Sequence, residues 1–240
     1  MANHEKLIDL VRVAGPKLIP FLKTVCIFFV MDAHKHHNEY WSTILKCAPI
    51  ISLIAFIILH GISFSNRWTY TNKIFFGLIF SCLGDALLNH NYFPHGMSAF
   101  AMAQLFYISA FGFYPLKLWI GCCLHTAGIA TVVMLWNNLS PILSIGLPIY
   151  TILLVTMCWR SLALLFVAKI IFQTENHVNN SIQKSNAISR LVRAIAAILF
   201  VTSDTMIATW IMGTYYVAQF GITITILDAN DSCIITKKTK

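Results

Sequence analysis

Long apolar segments separated by short polar connections are the feature that most restricts how this chain can fold. Several runs of about 20 residues contain almost no charged side chain. An α-helix needs about 20 apolar residues to cross the hydrocarbon core of a bilayer, because each residue rises about 1.5 Å. The runs are continuous rather than alternating, which excludes the strands of a membrane β-barrel. The segments therefore predict an all-α bundle of membrane-spanning helices.

The composition supports this class of protein. Of 240 residues, 58% are hydrophobic and 11% are charged, whereas soluble domains are about a quarter charged. The net charge is +8, but the basic residues are spread over connections and tails, so we expect no nucleic-acid partner. The chain has no Cys-x-x-Cys pair and no Cys/His cluster with zinc spacing. The sequence therefore predicts no metal site and no cofactor.

Eight apolar segments are recognisable, at 18–31, 42–60, 74–90, 96–114, 117–136, 141–172, 189–209 and 211–228. A span and its connection take about 28–30 residues, so the chain has room for about eight helices and no soluble domain. We therefore expect one transmembrane domain over 1–240, with a short N-terminal segment (1–17) and a C-terminal tail (229–240). The sixth segment is too long for one plain span and is expected to leave the membrane near Trp159.

Basic residues alternate between the two predicted sides of the membrane. The N-terminal segment, the second, fourth and sixth connections and the tail carry most of them, whereas the third and fifth connections carry none. By the positive-inside rule, both termini are cytoplasmic, as an even number of spans requires. The chain ends Lys237-Lys238-Thr239-Lys240, and lysines third and fourth from the end are typical of retrieval to the endoplasmic reticulum. We therefore expect an integral protein of that membrane.

Two of the nine acidic residues, Asp85 and Asp204, lie inside predicted spans. An ionisable side chain inside a membrane is costly, so both are candidates for a functional role. Spans three and seven run in the same direction, and each aspartate lies about five residues, or 7–8 Å, below the lumenal end of its span. Gly77, Ser81 and Gly84 form a stripe of small residues that allows a close helix contact and directs the adjacent Asp85 toward the bundle.

Other polar side chains are expected in the same layer as the two aspartates. We predict that this lumenal half of the bundle is polar inside and that the cytoplasmic half is not. A tyrosine here could instead belong to the aromatic belt at the membrane surface. The candidate substrate-binding residues are Lys46, Asn89, Gln104, Tyr107, Tyr150, Tyr215, Tyr216 and Gln219.

Five ordered motifs resemble those of the YhhN-like lysoplasmalogenase family. They are GLIFSCLGDALL at 77–88, HGMSAFAMAQLFY at 95–107, WRSLA at 159–163, FVTSDT at 200–205 and GTYYVAQ at 213–219. The resemblance implies an eight-span membrane hydrolase that cleaves the vinyl-ether bond of lysoplasmalogens to a fatty aldehyde and glycerophospho-ethanolamine or -choline. It also carries the two acids of the family motifs onto Asp85 and Asp204. The family commonly has His where this chain has Gln104, and a longer connection before its Tyr-Tyr motif.

Two membrane-embedded carboxylates suit the hydrolysis of a vinyl ether. One protonated aspartate would deliver a proton to carbon, and the ionised one would stabilise the resulting cation and orient water. The residues do not decide which of Asp85 and Asp204 is the acid. We expect Lys46 to bind the phosphate and the tyrosines to line the headgroup cavity.

Two other classes of function stay open. A proton-coupled transporter would also keep two carboxylates inside the membrane. A family member that binds lipid without cleaving it is the second alternative. The expected partners are a lysophospholipid substrate and membrane lipids, and the sequence leaves a homodimer open.

Overall fold

The computed structural model describes residues 2–32, 39–61, 70–114, 116–136, 141–174, 191–193, 195–199 and 219–225. Six long helices carry most of this part of the chain: α1 (Ala2–Asp32), α2 (Glu39–Gly61), α3 (Tyr70–Asn89), α4 (Phe93–Phe111), α5 (Leu118–Leu135) and α6 (Pro141–Thr174). The stretches 191–193, 195–199 and 219–225 are also helical. All regular structure within these ranges is helical, which confirms the predicted all-α class.

The six helices coincide with the first six predicted spans, with two differences in extent. α1 begins at Ala2, so most of the predicted N-terminal segment is the first part of a 31-residue helix. α6 is one helix of 34 residues, so the predicted exit from the membrane near Trp159 is not marked by a break in the helix. Continuous apolar sequence favours continuous helix, because every backbone polar group in lipid must find its partner within the segment.

Three of the described helices contain stretches long and apolar enough to cross a membrane, at Tyr40–Leu59, Tyr70–Asn89 and Pro141–Leu164. A shorter apolar helix covers Leu118–Met134. Together with the helical architecture, these stretches identify an integral membrane protein. Close packing rather than exclusion of water holds such helices together, because lipid tails are as apolar as the side chains.

The helices form consecutive pairs, with α1 on α2, α2 on α3, α3 on α4 and α5 on α6, and α6 also packs on α4. The 219–225 stretch returns to this bundle: Phe220 stacks on Phe21 with ring centroids 5.1 Å apart. The side chains in the centre are large and apolar, including Ile50, Leu53, Phe56, Ile57, Ile74, Leu78 and Met157.

The turn between α3 and α4 is tight and has a defined geometry. Asn91 has a positive φ of 62°, a conformation that asparagine tolerates better than most residues. Its N–H bonds to Leu88 O at 3.1 Å, and the next N–H, of Tyr92, bonds to Leu87 O at 3.0 Å. This is the Schellman pattern, which ends a helix by pairing its last carbonyls. We refer to this side of the bundle as the turn end.

Three glycines bring α3 and α4 into close contact: Gly77 against Tyr107, Gly84 against Phe100 and Gly96 against Leu88. All three contacts fit one antiparallel register. In this register Asp85 is opposite Ala99, and Gln104 is opposite Phe80, further from the turn end. The predicted small-residue stripe on α3 is therefore the surface against which α4 packs.

Contacts to the later helices show their directions. Gln219 bonds to Ser81 and Thr225 bonds to Tyr70, so the 219–225 stretch runs antiparallel to α3. α6 runs parallel to α4, because contacts at both ends follow the same order: Gly146 against Met97 and Arg160 against Gly112. These are the directions that the helices would have if the chain passed up and down through the predicted spans. The count of eight spans and the cytoplasmic position of the termini stay predictions.

Candidate membrane-embedded active site

Asp85 lies on the inner face of α3 and is only 8% exposed. It therefore faces the interior of the bundle, as the small-residue stripe predicts. Across the α2–α3 interface, the Cys47 thiol lies within electrostatic range of both Lys46 and Asp85, and Cys47 Sγ is 3.6 Å from Cys82 O. The amine of Lys46 and the carboxyl group of Asp85, from adjacent helices, thus lie at one level of the bundle.

Asn89 is at the turn end, where α3 stops, and both atoms of its amide are bonded. Its Oδ1 accepts a hydrogen bond from Ser42 Oγ at 3.2 Å, and its Nδ2 donates to Thr43 Oγ1 at 2.7 Å. His90 Nε2 lies 3.4 Å from the same threonine oxygen. Lys46 follows Thr43 by about one turn of α2. This polar group, which we call the mouth, lies at the turn end, where Asn89 is about one helical turn from Asp85.

Ser81, Tyr107 and Gln219 form a closed ring of hydrogen bonds among three helices. Tyr107 OH donates to Gln219 Oε1 at 2.7 Å, and Gln219 Nε2 donates to Ser81 Oγ at 3.2 Å. The Ser81 hydroxyl, 3.3 Å from Tyr107 OH, is then left to donate to the tyrosine oxygen. All three side chains are fully buried. Each of the three side chains is hydrogen-bonded to the other two. The ring joins 219–225 to α3 and α4 further from the turn end than Asp85.

Gln104 differs from Gln219 although both are fully buried glutamines. Within the part of the chain that the structure describes, neither Nε2 nor Oε1 of Gln104 has a hydrogen-bond partner. It lies on the buried face of α4 between Phe100 and Tyr107, which both contact α3. Buried polar groups are nearly always paired, and leaving one unpaired costs about 1–3 kcal/mol. With respect to the described residues, this amide is therefore a candidate for binding a ligand.

Tyr150 lies in the same layer of the bundle as Asp85 and Gln104. The side chain is partly buried against the core. The parallel register of α6 and α4, defined by the contacts of Gly146 and Arg160, puts Tyr150 opposite positions 101–102 of α4. This level lies between those of Asp85 and Gln104.

Three of the predicted site residues, Asp204, Tyr215 and Tyr216, lie outside the described residues. The other predicted residues fall into three groups along the bundle. Asn89 is at the mouth, Lys46 and Asp85 share the next level, and the last group, Tyr150, Gln104, Tyr107 and Gln219, lies deeper. The structure thus brings the described candidates into one region of the bundle.

Ser81 has a polar role that the small-residue stripe does not predict. Its hydroxyl is part of the hydrogen-bonded ring. Its position four residues before Asp85, on the same face of α3, was the signal that could have identified it.

The prediction that only one half of the bundle is polar inside was wrong. Thr71, Asn72 and Arg160 are also buried, at the end opposite the turn. Arg160 Nε donates to Gly112 O at 2.7 Å, so the arginine supports the connection between α4 and α5. The carbonyl of Gly112, just beyond the end of α4, is free of a helical partner and can accept this hydrogen bond.

An open cavity of about 380 Å³ extends from the middle of α4 toward this opposite end, lined by Lys73, Met102, Leu105, Phe106 and Ser109. None of the predicted site residues lines it. Lys73 Nζ donates to Ser109 O at 2.8 Å, which links the start of α3 to the end of α4. Among the described residues, no group of three or more His, Cys, Asp or Glu side chains could hold a metal ion.

The helical architecture and the buried polar region define an integral membrane protein with a candidate active site inside its bundle. The chain belongs to the YhhN family, which matches residues 41–226. This membership confirms the resemblance seen in the sequence motifs.

Named relatives cover most of the chain. It is 31% identical to the Homo sapiens protein named lysoplasmalogenase TMEM86A, over 93% of this chain and 94% of that protein. It is 28% identical to Homo sapiens lysoplasmalogenase TMEM86B, over 88% of this chain and 86% of that protein. A lysoplasmalogenase homolog from Dictyostelium discoideum is 33% identical over 60% of this chain and 52% of that protein. No solved structure matches the chain.

Proposed function

We propose that this protein is a membrane hydrolase that cleaves the vinyl-ether bond of lysoplasmalogens. Its products are a fatty aldehyde and glycerophospho-ethanolamine or -choline. The names of its relatives support the reaction class. The observation that carries the proposal is Asp85, a carboxyl group only 8% exposed on a helix long and apolar enough to span the membrane. Such a group is maintained at a high energetic cost, which is typical of a functional role.

Asp85 and Asp204 act as an acid–base pair in this proposal. The protonated carboxyl group donates its proton to the outer carbon of the alkene, which leaves an oxocarbenium ion at the carbon bonded to oxygen. Water attacks that carbon and loses a proton, and the hemiacetal breaks into an aldehyde and the glycerol hydroxyl. Only water is consumed, and no oxidation or cofactor is involved. The second carboxylate stabilises the cation and orients the water, as in glycoside hydrolysis.

The lipid enters with its headgroup at the mouth near Asn89 and its chain between helices. Lys46, one turn inside the mouth, pairs with the phosphate, because an ammonium group is a strong phosphate ligand. Tyr150, Tyr215 and Tyr216 line the region around the glycerol and the headgroup. Tyr107 and Gln219, which are bonded to each other and to Ser81, form the deep boundary of the site.

The test is release of aldehyde by the purified full-length protein in detergent. It is given an alkenyl-lysophospholipid and, in parallel, the saturated alkyl-ether analogue. We expect aldehyde from the vinyl ether alone. Asp85→Asn and Asp204→Asn should each lower the rate by about 100-fold or more, the range for loss of acid–base catalysis. Asp231→Asn, in the predicted tail, is the matched control and should keep the wild-type rate.

The competing functions give different results in the same series. Wild-type protein that binds the lipid but releases no aldehyde would support the lipid-binding alternative. Movement of an intact solute across proteoliposomes, lost in both aspartate variants, would support a transporter. Wild-type rates in Asp85→Asn and Asp204→Asn would exclude the carboxylate mechanism.

A further inference from the structure

We propose that Gln104 is a specificity residue that binds the free sn-2 hydroxyl of the lysolipid. This inference rests on the proposed function and adds how the site distinguishes a lysolipid from a lipid that is substituted at sn-2. It starts from the one buried glutamine amide whose donor and acceptor atoms both lack partners within the described residues.

The chemistry of the amide selects the ligand group. Gln104 offers one carbonyl acceptor and one NH₂ donor, and both need a partner. A phosphate oxygen only accepts, and an ammonium group only donates. A hydroxyl donates and accepts at once, so it pairs with both atoms of a carboxamide in one cyclic contact. The glycerol of a lysolipid carries such a hydroxyl at sn-2, whereas an ester there could only accept.

The register of α3 and α4 places Gln104 within reach of a lipid that is bound at Asp85. Gln104 is opposite Phe80, five positions from Asp85 on α3, an axial offset of about 7.5 Å. Side chains lean toward the N-terminus of their own helix. Because α3 and α4 are antiparallel, Asp85 and Gln104 lean toward each other along the axis. The sn-1 and sn-2 oxygens are on adjacent carbons, so a vinyl ether held at Asp85 keeps the sn-2 hydroxyl close to Asp85, where the side chain of Gln104, leaning toward it, can reach it.

Gln219 provides a matched contrast within the same protein. Its Oε1 and Nε2 are both bonded, to Tyr107 and Ser81. Replacing Gln219 by Leu breaks two bonds and should lower Tm. Replacing Gln104 by Leu removes an unpaired buried polar group, so it should leave the Tm of the ligand-free protein unchanged or raise it.

The binding experiment uses alkyl-ether lysolipids, which are not cleaved, with a hydroxyl, a hydrogen or a methoxy group at sn-2. We expect the wild type to bind the hydroxyl form about 10-fold or more tightly than the other two, since a site built around a hydrogen bond rejects a ligand that lacks it. In Gln104→Leu this preference should fall to about twofold or less. Gln104→His should keep an intermediate preference, because one nitrogen of a neutral imidazole can bond to the hydroxyl, whereas the two ring nitrogens point apart and cannot both reach it. Asp231→Asn, in the predicted tail, should bind with the wild-type preference.

Aldehyde release from the corresponding alkenyl lipids is measured beside binding. A wild-type preference for the hydroxyl form that persists in Gln104→Leu would overturn the inference and leave the proposed function standing. Wild type that shows no preference among the three lipids would also overturn it. Absence of aldehyde from wild type, with a preference that still depends on Gln104, would refute the proposed hydrolysis and keep Gln104 as a lipid-recognition residue.

Discussion

At the scale of single residues, Tyr107 shows how one hydroxyl can be used structurally in a membrane interior. Its ring packs on Gly77, and its oxygen is shared between Gln219 and Ser81. The sequence alone left this tyrosine between a cavity-lining role and a place in the aromatic belt at the membrane surface. Full burial excludes the belt. Its hydroxyl is instead part of the contact between α3, α4 and 219–225.

Tyr107→Phe should destabilise the protein by about 1–2 kcal/mol. The change leaves Gln219 Oε1 buried without its 2.7 Å partner, and a buried acceptor without a donor pays its full desolvation cost. Thermal unfolding in detergent measures the effect. Tyr114→Phe is the control, because Tyr114 is 88% exposed and should not alter Tm. Equal Tm values for Tyr107→Phe and wild type would mean that the hydrogen bonds among Ser81, Tyr107 and Gln219 contribute nothing to stability.

Asp85 could be identified from the sequence, but the hydrogen bonds among Ser81, Tyr107 and Gln219 could not. A carboxyl group in an apolar run is visible in the chain itself, because its cost in lipid does not depend on its neighbours. The partners of Tyr107 come from positions 26 and 112 residues away. Such a pairing exists only once the helices have packed.

At the scale of elements, glycines on α3 decide how closely α4 approaches. A methyl group added at Gly84 would lie 2.7 Å from two atoms of the Phe100 ring. Close approach of this kind is typical of membrane helix pairs with small residues at the interface. The contact also sets the register that puts Asp85 opposite Ala99.

Gly84→Ala should therefore lower the free energy of unfolding by about 1–2 kcal/mol, because the steric clash with the Phe100 ring costs more than the gain in helix propensity. Gly146→Ala is the matched control: its new methyl group meets only the flexible end of Met97 and should be close to neutral. Both variants are compared with wild type by thermal unfolding in detergent. A neutral Gly84→Ala would indicate that α3 and α4 are less tightly packed than the structure shows.

At the scale of the whole molecule, the described helices follow the up-and-down path that the spans predicted. The 219–225 stretch runs against α3, and α6 runs with α4. The predicted endoplasmic reticulum location depends on a feature outside this bundle, the lysines of the tail. It stays a prediction, as does the cytoplasmic orientation of both termini.

The double change Lys237→Ala and Lys238→Ala should move the protein from the endoplasmic reticulum to later compartments, because retrieval requires lysines third and fourth from a cytoplasmic end. Fluorescence microscopy of the full-length protein with an N-terminal tag, beside compartment markers, measures the shift. Lys240→Ala keeps both lysines in register and should retain the wild-type distribution. A double variant that remains in place would show that the tail is not the signal.

The sequence by itself determined the class of protein, the approximate positions of the first six helices and the family. These follow from local properties: apolar runs long enough to cross a bilayer, charges that end them, and motifs read in order along the chain. Tertiary structure decided which buried polar side chains have hydrogen-bond partners within the protein and which can bind a ligand. Gln104 and Gln219 are the same residue type in similar apolar surroundings, yet within the described ranges only Gln219 has hydrogen-bond partners for both atoms of its amide. Hydrogen-bond partners across helices depend on register and facing, which no single segment encodes.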